Sequence, residues 1–213
     1  MVIAKAPEAG KVKTRLSPPL APHEVLAIAW ACLLETLDAA CRLRAQRHVL
    51  VLDGPAGEWI PPGFEVIPQR GSGLGARLAH AFEDVEDDAI VIAMDTPQVT
   101  TELLHEALAA LEDHDAVVGP ASDGGYWLIG LRRSVDAAAV FEGVEMSTDH
   151  TGADQLARLG ALGLRTGVLS ELRDIDTFED LAAVAAMTPS SRVSAAFERL
   201  GADVTGPPAN DRR

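Results

Sequence analysis

Two short segments of the sequence combine carboxylates with turn-forming residues in a way that suits a divalent metal ion. Asp95 ends an apolar run and is followed by Thr-Pro, whereas Asp174 and Asp176 alternate in the segment Asp-Ile-Asp-Thr. Alternate residues of an extended chain point to the same side, so Asp174 and Asp176 could face one ion. Oxygen ligands of this kind suit Mg²⁺ or Mn²⁺. The sequence therefore predicts a metal site at Asp95, Asp174 and Asp176, while capping of a turn or helix is the alternative for each residue.

A loop of small and basic residues near the start of the chain suits the phosphates of a nucleotide. Backbone amides can approach an anion closely where side chains are small, and the guanidinium of Arg15 offers two parallel donors. The GxxxxGK[ST] spacing of a P-loop is absent, and a solvated basic loop is the alternative. The residues of this segment that could bind a nucleotide are Ala4, Lys5, Gly10, Lys11, Lys13 and Arg15.

A third segment, Asp123 to Trp127, places two glycines between a carboxylate and two aromatic residues. Gly124 and Gly125 allow the backbone to approach a ligand closely, and Tyr126 and Trp127 could flank an acceptor molecule. The alternative is a tight turn that leads into a strand, where Asp-Gly-Gly is ordinary. The segment alone does not decide between these two interpretations.

The elements that must position these segments follow from the alternation of apolar runs and helical periodicity along the chain. Seven runs of strand length alternate with helical segments, which predicts an α/β fold of three layers (α/β/α) with a mainly parallel, twisted sheet. Ligands of such sheets bind beyond the carboxyl ends of the strands. Lys5, Asp95, Asp123 and Asp174 each follow a predicted strand, so we expect them to share one edge of the sheet.

Composition limits the domain organisation and the partners. The chain has 213 residues, which suits a single domain over residues 1–200 with a Gly/Pro-rich, disordered tail over residues 201–213. No apolar run approaches the roughly 20 residues of a membrane helix and no signal peptide is evident, so we expect a cytoplasmic protein. The net charge of −14 argues against nucleic acid and anionic membranes as partners. The oligomeric state stays open, with a homodimer among the options.

Five motifs occur in the order AKAPEAGKVKTRL, QRGSGLGARL, MDTP, GPASDGGYWLIGL and DIDTFEDL. Together they resemble the glycosyltransferase-A-fold transferases of the radical-SAM/selenodomain-associated type, relatives of the molybdenum-cofactor and phospholactate guanylyltransferases. The resemblance covers residues 1–185 and implies a nucleotide-diphospho-sugar transferase fold. It implies that Gln69, Gly73 and Gly75 complete the nucleotide pocket. It also implies metal binding by Asp95, Asp174 and Asp176, and acceptor binding by Asp123, Gly124 and Gly125. The sequence has Tyr126-Trp127 where the guanylyltransferases tend to have Thr-Asn, so the acceptor role of Tyr126 rests on the residue pattern alone.

The function that we expect is a metal-dependent nucleotidyltransferase that moves a nucleoside monophosphate from an NTP to a small anionic acceptor. Lys13 and Arg15 would neutralise phosphate charge, and an ionised acceptor would need no general base. A glycosyltransferase that uses a nucleotide-diphosphate sugar is the alternative, with Asp123 as the base for a sugar hydroxyl. A non-catalytic nucleotide-binding protein is a second alternative.

Overall fold

Seven strands form one sheet in the computed structural model of the protein, which describes residues 1–10 and 12–204. The strands are β1 (Val2–Lys5), β2 (His48–Asp53), β3 (Phe64–Pro68), β4 (Ala89–Ala93), β5 (Ala116–Pro120), β6 (Tyr126–Leu131) and β7 (Thr166–Val168). Their order in the sheet is β3-β2-β1-β4-β6-β5-β7. Strand β6 is antiparallel to both of its neighbours, and the other pairs are parallel. The predicted mainly parallel sheet is thus confirmed.

Helices cover both faces of this sheet. They are α1 (Pro22–Arg42), α2 (Leu74–Val85), α3 (Thr101–Asp113), α4 (Ala137–Phe141), α5 (Thr151–Ala161), α6 (Phe178–Met187) and α7 (Arg192–Val204), with a single 3₁₀ turn at Thr14–Leu16. Leu37 of α1 and Leu104 of α3 are buried in the core on one face. Phe82 of α2 and Leu159 of α5 are buried in the core on the other face. Helix α7 packs between α1 and α6, and apolar residues of the three helices form a third cluster.

Burial on both faces explains why the central strands are continuous apolar runs rather than alternating ones. The residues Val49 to Leu52 of β2 and Ala89 to Ile92 of β4 are all buried, and they were the clearest strand signals in the sequence. The sheet is therefore a rigid platform, and the loops at its carboxyl edge are held by strands that cannot shift without exposing core.

The structure departs from the predicted elements in a few places. Helix α4 was not predicted, because five residues are too few to show helical periodicity. Helix α7 continues to Val204, four residues into the segment that we expected to be disordered. Residues 205–213 and Lys11 lie outside the described part of the chain. Within the described residues, no helix is both long and apolar enough to cross a membrane.

Candidate active site

The carboxyl ends of the parallel strands open into a cleft of about 590 Å³. Its walls come from the loop after β1, the turn after β4, the turn between β5 and β6, the segment before α5 and the segment after β7. The predicted residues that line it are Lys13, Arg15, Asp95, Asp123, Gly125, Tyr126, Asp174 and Asp176. The expectation that these segments share one edge of the sheet is therefore met.

Three carboxylates converge in this cleft. Asp123, Asp174 and Asp176 each present an oxygen, and the three oxygens lie within 4.8 Å of one another. Asp174 is half-buried, and burial, followed by the charges of Asp123 and Asp176, raises the pKa of its carboxyl to about 6. Burial and the neighbouring carboxylates thus disfavour the ionised form of Asp174, and the oxygen-only donor set of the cluster suits a divalent cation.

Asp95 and Lys13 form an ion pair in the same cleft. Lys13 Nζ lies 2.5 Å from Asp95 Oδ1, and the Lys13 side chain is only 5% exposed, against 43% for Asp95. Burial alone would lower the pKa of Lys13, but Asp95, with smaller contributions from Cys32 and Asp176, raises it above its ordinary value. Lys13 is therefore charged and paired with Asp95. Lys13 was predicted to bind phosphates and Asp95 to bind the metal, but in this structure their charges neutralise each other.

The segment that carries two of the clustered carboxylates is fastened to the turn after β4. The backbone N–H of Ile175 donates to Asp95 O at 3.0 Å, and Gln98 Nε2 donates to Arg173 O at 2.7 Å. Lys13 Nζ donates to Ile175 O at 2.6 Å. These bonds hold Asp174 and Asp176 in place from both sides, which gives Lys13 a positioning role in addition to its charge.

A second, smaller cleft of about 340 Å³ adjoins the first and shares Lys13, Asp95 and Tyr126 with it. Ala4, Lys5 and Gln69 line this cleft, as the predicted nucleotide pocket requires. The amide nitrogen of Gln69 donates to Ala4 O and Val51 O, and its Oε1 accepts from Arg77. Gln69 thus holds the cleft wall together through contacts that occupy its whole amide.

The remaining glycines assigned to the nucleotide lie beside the clefts rather than among their lining residues. Gly10, with φ 75, lies in the loop after β1 next to Lys11, whose position is not described. Gly73 precedes α2 with φ 83, and a Cβ on Gly75 would lie 3.2 Å from Met146 Cε. Their neighbour Leu74 lines both clefts. These glycines shape the backbone around the cleft.

The Asp-Gly-Gly turn packs against the segment that leads into α5. Gly152 N donates to Gly124 O at 2.7 Å, and Asp123 Oδ1 accepts from Gly125 N at 2.7 Å. Gly124 has φ +90, and a Cβ there would lie 1.9 Å from Asp149 O. Close packing of the turn is by itself enough to require glycine at position 124. The interpretation of this segment as a tight turn therefore accounts for Gly124 without a ligand.

The two aromatic residues after the turn have different surroundings. Tyr126 lines both clefts, its hydroxyl lies 3.6 Å from Met146 Sδ, and burial raises its pKa above the ordinary value. Trp127 is 1% exposed and its Nε1 donates to Ser170 O at 3.1 Å. The ring of Trp127 packs over Gly119 in the core, and Trp127 is a lining residue of the smaller cleft but not of the larger one.

Sequence reasoning missed one wall of the larger cleft. It is formed by Thr96 in the turn after β4, by Thr151 at the start of α5, and by the residues Met146, Ser147, Thr148 and Asp149 of the segment before α5. Ser147 adopts φ 65, an uncommon backbone conformation for a residue other than glycine. The only signal in the sequence was a run of short polar residues before a helix, which is typical of any capped helix.

The packing of the Asp-Gly-Gly turn leads to a prediction about stability. We expect Gly124→Ala to lower the free energy of unfolding by more than about 3 kcal/mol, because a Cβ would overlap a backbone carbonyl. Gly160→Ala in α5 is the matched control, since a Cβ there meets nothing within 4 Å. That control should be neutral or stabilising by up to about 1 kcal/mol. Urea denaturation of both variants checks the prediction, and a Gly124→Ala variant as stable as the wild type would contradict it.

The sequence is similar to those of several known proteins. The profile of a family described as uncharacterized proteins conserved in bacteria (DUF2064) matches residues 36–148. A phosphoenolpyruvate guanylyltransferase from Streptosporangium roseum is 32% identical over 199 residues, which cover 88% of this chain and 86% of that protein. The 2-phospho-L-lactate guanylyltransferase of Methanocaldococcus jannaschii is 27% identical over 135 residues, which cover 62% of this chain and 59% of that protein.

Solved structures show the same fold. A protein from Desulfovibrio desulfuricans G20, assigned as a nucleotide-diphospho-sugar transferase, superposes with a TM-score of 0.87 at 26% identity and covers 94% of both chains. CMP:2-keto-3-deoxy-manno-octonic acid synthetase in complex with CTP superposes with a TM-score of 0.57 at 15% identity, over 88% of this chain and 96% of that one. The chain is a transferase, and it belongs to the DUF2064 family, whose sequences are related to the phosphoenolpyruvate and phospholactate guanylyltransferases.

Proposed function

We propose that this protein is a metal-dependent nucleotidyltransferase that moves GMP from GTP to the phosphate of a small acceptor. The observation that carries the proposal is the convergence of Asp123, Asp174 and Asp176 in the cleft beside Lys13 and Arg15. The relatives from Streptosporangium roseum and Methanocaldococcus jannaschii are guanylyltransferases. Their similarity to this chain supports GTP as the donor.

The residues of the cleft fit Mg²⁺ or Mn²⁺. Asp123, Asp174 and Asp176 supply oxygen ligands only, and the pKa of Asp174 is raised first by burial and then by the charges of Asp123 and Asp176, which a divalent cation would balance. When bound, such an ion supplies neutralisation of the charge on the transferring phosphoryl group. Asp95 was also predicted as a metal ligand. Its Oδ1 contacts Lys13, so in this arrangement Asp95 would have to bind the ion while it keeps that contact.

The chain's own residues orient the two substrates. The nucleoside lies in the smaller cleft between Ala4, Lys5 and Gln69, and its phosphates extend toward Arg15. An oxygen of the acceptor phosphate attacks the α-phosphorus of GTP, and the bond from that phosphorus to the β-phosphate breaks, releasing pyrophosphate. A phosphate acceptor is already ionised at neutral pH, so the reaction needs no general base. Positioning and charge neutralisation supply the rate enhancement.

Arg15 is the exposed cation of this arrangement and gives a kinetic prediction. Its NH1 lies 2.8 Å from Asp176 Oδ2 and its side chain is 72% exposed, so it can turn toward a phosphate at small cost. We expect Arg15→Ala to raise the KM for GTP about tenfold, with little change in thermal stability. Arg165→Ala is the matched control, because Arg165 is 69% exposed and pairs with Asp115 outside the clefts. An equal KM in the wild type and Arg15→Ala would remove Arg15 from the nucleotide site.

Glycosyl transfer is the second candidate, and the similarity to an assigned nucleotide-diphospho-sugar transferase over 94% of both chains favours it. Asp123 would then be the base for a hydroxyl acceptor. Thermal unfolding with Mg²⁺ or Mn²⁺ and either GTP or a nucleotide sugar tests the choice of donor. A ligand present at a hundred times its Kd contributes about 2.7 kcal/mol. Metal-dependent stabilisation by GTP supports nucleotidyl transfer, whereas stabilisation by GDP- or UDP-sugars alone would favour glycosyl transfer.

A further inference from the structure

The ion pair between Lys13 and Asp95 lies where the two clefts meet. Both residues line the larger cleft and the smaller one. Lys13 Nζ lies 2.5 Å from Asp95 Oδ1, and this contact joins the loop after β1 to the turn after β4. A nucleotide whose nucleoside occupies the smaller cleft and whose phosphates reach the larger one crosses this boundary. The pair therefore lies in the path that the proposed function gives to GTP.

The inward position of Lys13 is maintained by its contacts with the rest of the protein. Besides Asp95, its ammonium contacts Ile175 O at 2.6 Å, and its side chain is only 5% exposed. The backbone of Lys13 has φ 44 and ψ 42, in the left-handed region that lysine rarely adopts. The backbone conformation of Lys13 is thus unfavourable in itself and persists because those contacts hold it.

Asp95, unlike Lys13, is open to a solute in the cleft. Its side chain is 43% exposed, and it lines the larger cleft together with the three clustered carboxylates. A divalent ion in that cleft can therefore reach Asp95. If the ion bound Asp95 while Lys13 kept its contact, a dication and an ammonium would share one carboxylate and repel each other.

The ion and the nucleotide offer each charge of the pair a new partner. Separating Lys13 from Asp95 without replacement would leave a buried ammonium without its nearest counter-charge, which is costly. A phosphate oxygen can replace Asp95 as the partner of Lys13, and the ion can replace Lys13 as the partner of Asp95. Such an exchange leaves every charge paired, so binding of the substrates can open a contact that is stable in their absence.

We propose that the Lys13–Asp95 pair is an autoinhibitory contact, which closes the path of GTP in the free protein and opens by exchange of partners. Asp95 turns to the divalent ion, and the ammonium of Lys13 turns to a phosphate oxygen of GTP. The inference rests on the proposed function and adds to it a closed state of the free protein. The exchange changes no covalent bond, and it returns Lys13 to the phosphate-binding role that the sequence predicted.

Acetylation of lysine amines by an N-hydroxysuccinimide ester, followed by mass spectrometry of peptides, tests the opening in the wild type. Lys13 should react slowly in EDTA because it is buried. Mn²⁺ alone should raise its rate of modification about tenfold or more by taking Asp95 from it, and GTP added with Mn²⁺ should protect it again. Lys5 is the control amine, since it is exposed and lines the smaller cleft alone. Mn²⁺ alone should leave the rate of Lys5 unchanged.

Two results of this experiment would overturn the inference. One is a rate for Lys13 in EDTA as high as that of Lys5, because no closed contact would then exist. The other is equal protection of Lys13 in EDTA and at saturating Mn²⁺, because the ion would then not release it.

The affinity for Mn²⁺ gives an independent test. Lys13→Met should bind Mn²⁺ about tenfold more tightly than the wild type, because Asp95 then has no partner to give up. Arg15→Met is the matched control, since it also removes one positive charge from the larger cleft. Arg15 is 72% exposed and its pair with Asp176 is weak, so this control should tighten binding by about twofold at most. Equal tightening in both variants would reveal a general effect of charge and overturn the exchange.

Mn²⁺ binding, measured by electron paramagnetic resonance of the free ion, distinguishes failure of this inference from failure of the proposed function. If Mn²⁺ binds to the wild type and leaves the reactivity of Lys13 unchanged, metal-dependent transfer stands and the exchange alone is overturned. If the wild type binds no Mn²⁺, with or without GTP, both are overturned.

Discussion

Replacing Asp174 with asparagine is expected to lower turnover by about a thousandfold or more while making the metal-free protein more stable. The loss of turnover follows because Asp174 is one of three carboxylates whose oxygens lie within 4.8 Å. The gain in stability follows because the ionised carboxyl is half-buried beside Asp123 and Asp176, which raises its pKa to about 6. A residue that only supports the fold would lose stability when replaced, so lost turnover together with higher stability identifies a ligand site.

The gain in stability should depend on pH in a defined direction. A raised carboxyl pKa means that the folded state holds the proton more tightly than the unfolded state, whose pKa is near 3.8. The contribution of Asp174 to wild-type stability is therefore fully present below about pH 4 and is lost as the pH rises through about 6. Above pH 6, Asp174→Asn should exceed the wild type by about 1 kcal/mol, after allowance for solvent screening of a half-buried group.

Denaturation in EDTA between pH 4 and pH 8 measures this difference, and added Mn²⁺ should reverse it. The wild type gains stability from the ion, and Asp174→Asn should gain much less. Asp113→Asn is the control for removal of one negative charge, since Asp113 is exposed at the end of α3. An Asp174→Asn variant that is less stable than the wild type at pH 7, or that responds equally to Mn²⁺, would contradict the metal site.

Replacing Asp95 is expected to lower the free energy of unfolding more than replacing its partner Lys13. Asp95→Asn removes the nearest counter-charge of the Lys13 ammonium, which is buried because the Lys13 side chain is only 5% exposed. Lys13→Met leaves the carboxylate of Asp95, which is 43% exposed and can be hydrated. We expect a loss of about 3 kcal/mol for Asp95→Asn and about 1 kcal/mol for Lys13→Met. The double variant should be more stable than Asp95→Asn alone, because no unpaired charge remains.

Equilibrium unfolding of the three variants gives the coupling free energy directly. Equal losses from the two single changes, or additive losses in the double variant, would show that the pair is not the buried unit described above. Mn²⁺ titration of the same variants examines the metal role predicted for Asp95. If Asp95 is a ligand, Asp95→Asn should weaken Mn²⁺ binding much more than Lys13→Met does.

The sequence predicted the edge of the sheet at which the site lies, since each candidate followed a buried apolar run whose direction the α/β alternation dictated. It did not predict which side chains meet. Asp123 joins Asp174 and Asp176 although 51 residues separate it from Asp174 in the chain, and Lys13 turns inward to Asp95 rather than outward to solvent. Such pairings depend on packing between loops, which leaves no local periodicity.

The same limit applies to residues whose role depends on burial. Gln69, which was predicted at a nucleotide pocket, lines the smaller cleft. Its hydrogen bonds to Ala4 O and Val51 O depend on how strands β1 and β2 lie side by side, which the sequence pattern does not show. Thr96 was interpreted only as part of a turn. Its hydroxyl oxygen is buried without a hydrogen-bond partner among the described residues, which became evident from the surroundings that the fold creates around it.

Phosphorus NMR of the protein with GTP, Mg²⁺ and phosphorylated acceptors tests the central claim most directly. We predict that the signals of GTP give way to pyrophosphate and to a new diphosphate linkage between GMP and the acceptor. The reaction should stop when the metal is chelated and when Asp174 is replaced by asparagine. Unchanged GTP, together with release of a nucleoside diphosphate from a nucleotide sugar under the same conditions, would contradict nucleotidyl transfer and identify the protein as a glycosyltransferase.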